Sequence, residues 1–299
     1  MDLNRVAIFS RVVAEGSFTA AARALGLPKS SVSRSVALLE HDLGVRLLQR
    51  STRALRLTDA GARFHDKASR ALADLDEATA EASDREASAS GVVRVTAPVD
   101  LGVAVLAPVV ARFSRAHPSI RVELVLTARV VDLVGEGVDL ALRVGVVQGA
   151  ALVARLVAKI ESGLYASRGY LAASGAPGKV EELGSHACVL FRGAHGAATW
   201  ALSGPNGVRR VRVAGRLDVD DLSAARKCVL AGAGIGLLPA ILVAREVERG
   251  RLVRVLPEHS AEATPLHLAV PTARLLPKRV ALLRDAMLSE LPKLRWSCS

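Results

Sequence analysis

The sequence predicts an α+β chain of two domains: a small helical domain at the N-terminus, then a long helix, then a larger α/β domain. Three observations predict it. Residues 17–58 hold two short helical patterns, split by Gly26 and Pro28 and followed by a basic hairpin. After Thr58 a helical run extends to about Arg85 with no proline and no glycine beyond Gly61. From Gly91 short apolar strands alternate with helical patterns, the order that builds α/β layers. At 299 residues the chain suits about two domains, and a 51% apolar fraction is ample for their cores.

Residues 3–15 form a first helix, with Val6, Phe9 and Val13 at helical spacing and Val12 beside them. Ser17 to Leu25 is a second helix, ended by Gly26 because glycine accepts the left-handed turn of a helix C-terminus. Pro28 suits the first turn of a third helix, where a missing N–H costs nothing. There Val32, Val36, Leu39 and Leu43 fall on one buried stripe. Lys29, Ser30, Ser31, Ser33 and Arg34 lie mostly off it, on the N-terminal half. A tight turn followed by a helix with a small, polar and basic exposed start is a helix-turn-helix. Such a helix fits the major groove of duplex DNA, where Arg34, with Ser31 and Ser33, can meet base edges. Phe18 and Thr19, opening the second helix, join the expected contact set.

Val45 to Leu48 and Ala54 to Leu57 read as two strands of a hairpin, or wing, around Ser51 and Thr52. A plain helical hairpin with a solvated basic face would share the earlier features. The arginines that recur through the hairpin argue for phosphate instead, with Arg50 and Arg53 as the expected contacts. Residues 1–58 carry nine basic and four acidic side chains, net +5, the electrostatic footprint of a nucleic-acid surface.

Thr58 can cap the next helix. Phe64, Ala68, Ala71, Leu75, Ala78 and Ala82 step by 4, 3, 4, 3 and 4, a heptad seam expected to pair two chains. A single amphipathic helix packed on its own domain is the competing reading. Ser83 to Ser90 is small and polar and marks the hinge. Beyond it, Val92–Thr96, Val122–Thr127 and Asp139–Val144 read as strands, Leu101–Ala116 and Leu276–Leu291 as helices, and Ile160–Ser167 and Leu266–Val270 as further strands.

Composition narrows the partners. Net charge is +11 with a pI near 10.4, which allows nucleic acid or an anionic surface. Aromatics are only 3%, too few for the stacking platforms of single-strand binding, so duplex DNA is favoured. Cys188, Cys228 and Cys298 form neither a metal-ligand spacing nor a disulfide framework, and a reducing cytoplasm fits them. The 17-residue uncharged run Cys228–Ala244 contains three glycines and Pro239, and reads as helix end, turn, buried strand and new helix rather than a membrane span. Asp2, Arg5 and Arg11 interrupt any signal-peptide core. Gly232-Ala233-Gly234-Ile235-Gly236 lacks the sixth-position glycine of a dinucleotide fingerprint, since Leu237 stands there. The histidines show no paired-ligand spacing, and no nucleophile elbow or phosphate loop is present, so no enzyme, cofactor or metal is expected.

Gly16-Ser17-Phe18, Ala21-Ala22-Arg23, Ser31-Val32-Ser33-Arg34, Leu39-Glu40, Leu43-Gly44, Leu47-Leu48-Gln49-Arg50 and Leu57-Thr58-Asp59-Ala60-Gly61 resemble, in order and spacing, the winged helix-turn-helix of the LysR-type transcriptional regulators. Leu48 stands where that family usually has Phe. The resemblance runs to about residue 290, through TAPVDLG, GVDLALRVG and AGAGIGLLP. It implies a winged helix-turn-helix over 1–58, a dimerising linker helix and hinge over 59–90, and an effector domain over 91–299 like a periplasmic binding protein. Lobe one would be about 91–162 and 268–295, lobe two about 163–267, with Ile160–Ser167 and Leu266–Val270 crossing between them. The implied ligand is a small organic effector in the cleft, met by Thr96, Pro98, Val99, Asp100 and Arg143 on one side and by Asp220, Asp221 and the Gly236–Pro239 turn on the other. Asp220 and Asp221 could equally be helix-capping residues. Double-stranded promoter DNA, a homodimer or homotetramer, and RNA polymerase if the protein activates are the implied partners, with no membrane. An effector-independent architectural DNA-binding protein is the alternative.

Overall fold

A computed structural model describes residues 2–49, 55–82, 89–147, 152–271 and 276–298. They form two compact units, divided between Val92 and Val93.

The first unit holds α1 (Leu3–Glu15), α2 (Phe18–Leu25), α3 (Lys29–Leu43), a two-stranded hairpin of β1 (Leu48–Gln49) and β2 (Arg56–Leu57), and α4 (Asp59–Ala82). Each boundary has a local cause. Asp2 and Ser17 cap α1 and α2 by accepting first-turn N–H groups, and Gly16, Gly26 and Gly44 end the first three helices at φ of 64°, 65° and 67°. The fully buried core is Phe9, Val12, Ala21, Val32, Leu39 and Leu47, drawn from the expected stripes plus the residue that leads into the wing. The hairpin is shorter than the expected Val45–Leu48 and Ala54–Leu57. The Val45 N–H closes the end of α3 on the Glu40 carbonyl, and the Leu47 N–H goes to the Glu40 side chain, so neither is free for a ladder. The hairpin tip, residues 50–54, lies outside the described residues.

Thr58 caps α4 as expected, its Oγ1 accepting the Gly61 N–H at 2.9 Å. The seam needs correcting at its start. Phe64 packs against Phe9 with ring centroids 5.8 Å apart, and Ala68 is buried in the same core. The first turns of α4 are therefore part of this unit's own core, the competing reading of the helix.

The second unit is built on one nine-stranded sheet. In chain order it holds β3 (Gly91–Ala97), α5 (Val99–Leu101), a π-helical turn over Gly102–Leu106, α6 (Ala107–Ala116), β4 (Ile120–Leu126), β5 (Leu140–Val144) and β6 (Leu152–Ser167). Then come α7 (Arg168–Ser174), β7 (Ala187–Phe191), β8 (Ala197–Gly204), β9 (Gly207–Val219), α8 (Leu222–Leu230), β10 (Ile235–Pro239), α9 (Ala240–Glu248), β11 (Leu252–Pro271) and α10 (Lys278–Glu290). The sheet order is β4-β3-β5-β11-β6-β10-β7-β9-β8, and β8 also touches β11. Pairs β3/β5, β7/β10 and β7/β9 are parallel, while β6 and β11 run antiparallel to each other and to their other neighbours β10 and β5.

The two crossing strands are longer than Ile160–Ser167 and Leu266–Val270. β6 and β11 pair with each other along nearly their whole lengths, with register shifts between Val255/Ser260 and Ala261/Thr264. Each passes unbroken through the expected lobe boundaries at 162/163 and 267/268, so the lobes are two ends of one sheet. The β8–β9 hairpin was not expected. Its strand is basic on the outside, with Arg210 and Arg212 facing away from the buried Trp200 and Val213, and so it lacks an apolar run.

Candidate nucleic-acid interface and ligand cleft

In α3 the period of the helix separates two faces. Val32, Val36 and Leu39 are buried, while Lys29, Ser30, Ser31, Ser33 and Arg34 are all exposed. Among the described residues neither Lys29 nor Arg34 has an ion-pair partner, and the same holds for Arg23 and Arg56. Arg5 pairs with Asp42 at 2.9 Å, Arg11 with Glu15 at 3.1 Å and Arg46 with Glu40 at 2.9 Å. Lys29 and Arg34 thus leave two uncommitted charges on the exposed face of α3. No side chain caps the start of α3, because Pro28 occupies the capping position. Its free N–H groups leave partial positive charge there, suited to a phosphate. Thr19 is exposed on the neighbouring helix start, and Phe18 beside it is half-buried, packed against the unit's core. Arg50 and Arg53 lie outside the described residues.

Glu40 holds the wing to this helix, a role the sequence did not single out. Its Oε1 accepts N–H groups from Leu47 and Leu48, and Oε2 accepts from Arg46 Nη1. A glutamate directly after the stripe residue Leu39 was the available signal. On α4, Ala71 and Leu75 are exposed, the side chains of Ala78 and Ala82 lie outside the described set, and Phe64 and Ala68 are internal.

In the second unit, the turn from β3 into α5 meets the start of α8. Asp100 is largely withdrawn from water, and this burial raises its pKa. The negative charge of Asp221 raises it further, against a Leu101 N–H that donates to it and lowers it. Asp221 caps α8, its Oδ1 accepting the Ala224 N–H at 2.8 Å, so the capping reading and the cleft reading fall on the same carboxylate. Asp220 is exposed beside it, and Pro98 and Val99 flank Asp100.

Other expected contacts are engaged elsewhere. Thr96 is fully buried and donates its hydroxyl to the Val125 carbonyl at 2.8 Å. Arg143 reaches the Val131 carbonyl at 3.4 Å. Burial lowers its pKa and Glu136 opposes that. Gly236 faces the back of α8, where a Cβ would lie 2.6 Å from Val229 Cγ2, and Pro239 is a buried strand end opposite Ser162. Of the expected contacts, Asp100 and Asp221 are the two that lie close enough to feel one another. Cys188 is buried and its thiol is pushed up to about 12, which leaves it a poor redox centre. Among the described residues no group of His, Cys, Asp or Glu could hold a metal, and no helix is long and apolar enough to cross a membrane.

Residues 3–62 match the family model described as "Bacterial regulatory helix-turn-helix protein, lysR family", and residues 86–292 match "LysR substrate binding domain". The transcriptional regulator PtxR of Pseudomonas aeruginosa is 36% identical over 97% of this chain and 93% of its own length. The full-length virulence activator AphB of Vibrio cholerae is similar with 30% identity and a TM-score of 0.62, covering 97% of this chain and 100% of that one. CrgA of Neisseria meningitidis, a LysR-type regulator, has 31% identity and a TM-score of 0.63 over 97% and 99%.

Proposed function

This chain belongs to the LysR family of bacterial transcriptional regulators, and from that premise we propose that it binds promoter duplex DNA as a symmetric assembly whose geometry is set by a small molecule in the β3–α8 cleft. The observation that carries the DNA reading is the exposed and unpaired set Lys29, Ser30, Ser31, Ser33 and Arg34. Arg and Lys hold the phosphate backbone, and the short hydroxyls with Arg34 read base edges. Ala71 and Leu75, exposed on α4, support pairing of two chains. Homodimer and homotetramer both satisfy that symmetry, and an activator would also meet RNA polymerase. The protein acts in the cytoplasm, where promoter DNA is, and as a regulator rather than a catalyst, as its relatives do.

The effector is a small organic molecule with a cationic or hydroxyl-rich group. Asp100 and Asp221 supply negative charge at the cleft mouth, and Arg143, the expected counter-charge, is turned toward Val131 and Glu136. A ligand that binds one arrangement of the lobes better shifts the angle between paired DNA-binding domains and so the half-site spacing.

Footprinting of the promoter beside the gene tests the DNA reading. Two protected half-sites, with affinity falling steeply in salt, are expected. Protection of a single half-site at all concentrations would exclude the symmetric assembly. A footprint that no amine, sugar or acid alters would favour the effector-independent architectural role.

A further inference from the structure

The second unit also has a hollow on its surface, apart from Asp100 and Asp221. It is open to solvent, has a volume of about 1430 Å³ and is lined by residues between Ser167 and Arg251, on the lobe away from β3–β5. Four of its side chains are cations, Arg168, Arg216, Lys227 and Arg251, and no aspartate or glutamate lines it. Arg251 pairs with Glu246, which also receives Arg226 at 3.6 Å. Arg168, Arg216 and Lys227 have no ion-pair partner among the described residues.

Tertiary structure gathers these charges from separate segments. Arg168 opens α7, Arg216 sits on β9, Lys227 on α8 and Arg251 just before β11. The turn after α9 ends at Gly250 in the left-handed region, φ 65°, where a Cβ would lie 3.0 Å from Arg168 Nη2. The Arg168 guanidinium therefore lies over that turn, beside Arg251. The α8–β10 turn closes on the same place, with a Cβ at Gly232 3.6 Å from Ser167 Oγ. Ser167 Oγ accepts the Tyr170 N–H at 3.2 Å and keeps its own proton to donate. Leu217 and Leu230 give the hollow an apolar part.

Like charges set around one hollow repel one another until an anion enters. Guanidinium forks and an ammonium are the donors that recognise phosphate and carboxylate oxygens. We propose that this hollow is a second ligand site, distinct from the cleft, that takes a small organic dianion with its charged end on Arg168, Arg216 and Lys227 and its body against Leu217 and Leu230. The two sites then select opposite charge, since the cleft presents Asp100 and Asp221. The proposal does not depend on the identity of the cleft effector.

Calorimetric titration of the full chain tests it, with phenyl phosphate and phthalate as probes and benzylamine as control, at constant ionic strength. At least one dianion should bind saturably, and Arg216→Ala or Lys227→Ala should weaken it about tenfold or more. Arg216→Lys should retain more binding than Arg216→Ala, which separates lost charge from lost fold. Arg155→Ala, an exposed cation on β6 outside the hollow, should leave dianion binding unchanged. Phenyl phosphate alone would assign a phosphate ester, phthalate alone a dicarboxylate, and both the shared dianion. No saturable binding of either probe, equal binding in wild type and the hollow variants, or an equal loss in Arg155→Ala would overturn it.

Discussion

Glu40 accepts the backbone N–H of Leu47 on its Oε1 at 2.7 Å, from a position on α3 that is only 8% exposed. The same oxygen takes the Leu48 N–H at 3.0 Å. One carboxylate thus satisfies two buried donors where the chain leaves α3 for the wing, so the helix that faces DNA and the hairpin beside it are fixed to each other.

Glu40→Ala should cost about 2–4 kcal/mol of stability, because it orphans two buried N–H groups. Glu40→Gln keeps an acceptor oxygen and should cost about 1 kcal/mol. Urea unfolding of both variants checks the order. Equal costs would mean that the charge, and not the acceptor, is what the site needs.

Gly61 is the other contact that fixes the wing. A Cβ there would lie 1.9 Å from the Leu47 carbonyl oxygen, which is backbone and cannot swing aside. Gly61→Ala should therefore destabilise the first unit by about 1–3 kcal/mol or more, although alanine favours a helix. An unchanged or raised melting temperature would show that α4 yields at no cost.

Arg34→Ala should weaken specific DNA binding by about 1–3 kcal/mol and relax discrimination at one base position. Arg56→Ala, on β2, should weaken specific and random duplexes alike and lower the salt slope. Binding isotherms at several salt concentrations separate the two. If Arg34→Ala lowers affinity for both duplexes equally, Arg34 is a phosphate contact.

Leu75 is 47% exposed on α4, whereas Phe64 belongs to the core of its own unit. Leu75→Glu should dissociate the assembly in sedimentation while the melting of the first unit stays intact, because a charge in a seam is buried unpaired. Phe64→Ala should instead destabilise the unit itself, by about 2–3 kcal/mol because the ring is half-buried. Leu75→Glu sedimenting as the parent species would remove the seam.

Asp100 has a pKa raised by burial first and by Asp221 second. A raised carboxylate contributes stability when protonated and loses it as pH rises through the folded value. The window starts at the ordinary 3.8 and extends upward. Asp100→Asn should accordingly be more stable than the parent at neutral pH, with the difference closing at acid pH. Melting temperatures of both proteins across pH check the sign, and a parent that is more stable at neutral pH would contradict it.

Much of the first unit was legible because its determinants are local. The α1 and α3 stripes, the Thr58 cap and the Gly26 stop each act within a turn or two of helix, and the structure has them where the pattern put them. The wing was read too long because Glu40, several residues away, takes the donors that a ladder would need. The cleft was least legible. Thr96 and Arg143 carry the right chemistry, but their side-chain directions depend on Val125, Val131 and Glu136, and Gly236 is backed by Val229 of α8.

The sequence by itself determined the helix-turn-helix, the uncommitted basic face of α3, the long α4 and the α/β character of the rest. Periodicity, capping and net charge need no partner elsewhere in the chain. Only the tertiary structure decided that Ala68 is core with Phe64 packed on it, that β6 and β11 run as one pair through both lobes, that Asp100 lies near Asp221, and that Arg168, Arg216, Lys227 and Arg251 share a hollow. Each of these depends on residues far apart in sequence. Their pairing is set by sheet order and packing, which no local pattern encodes.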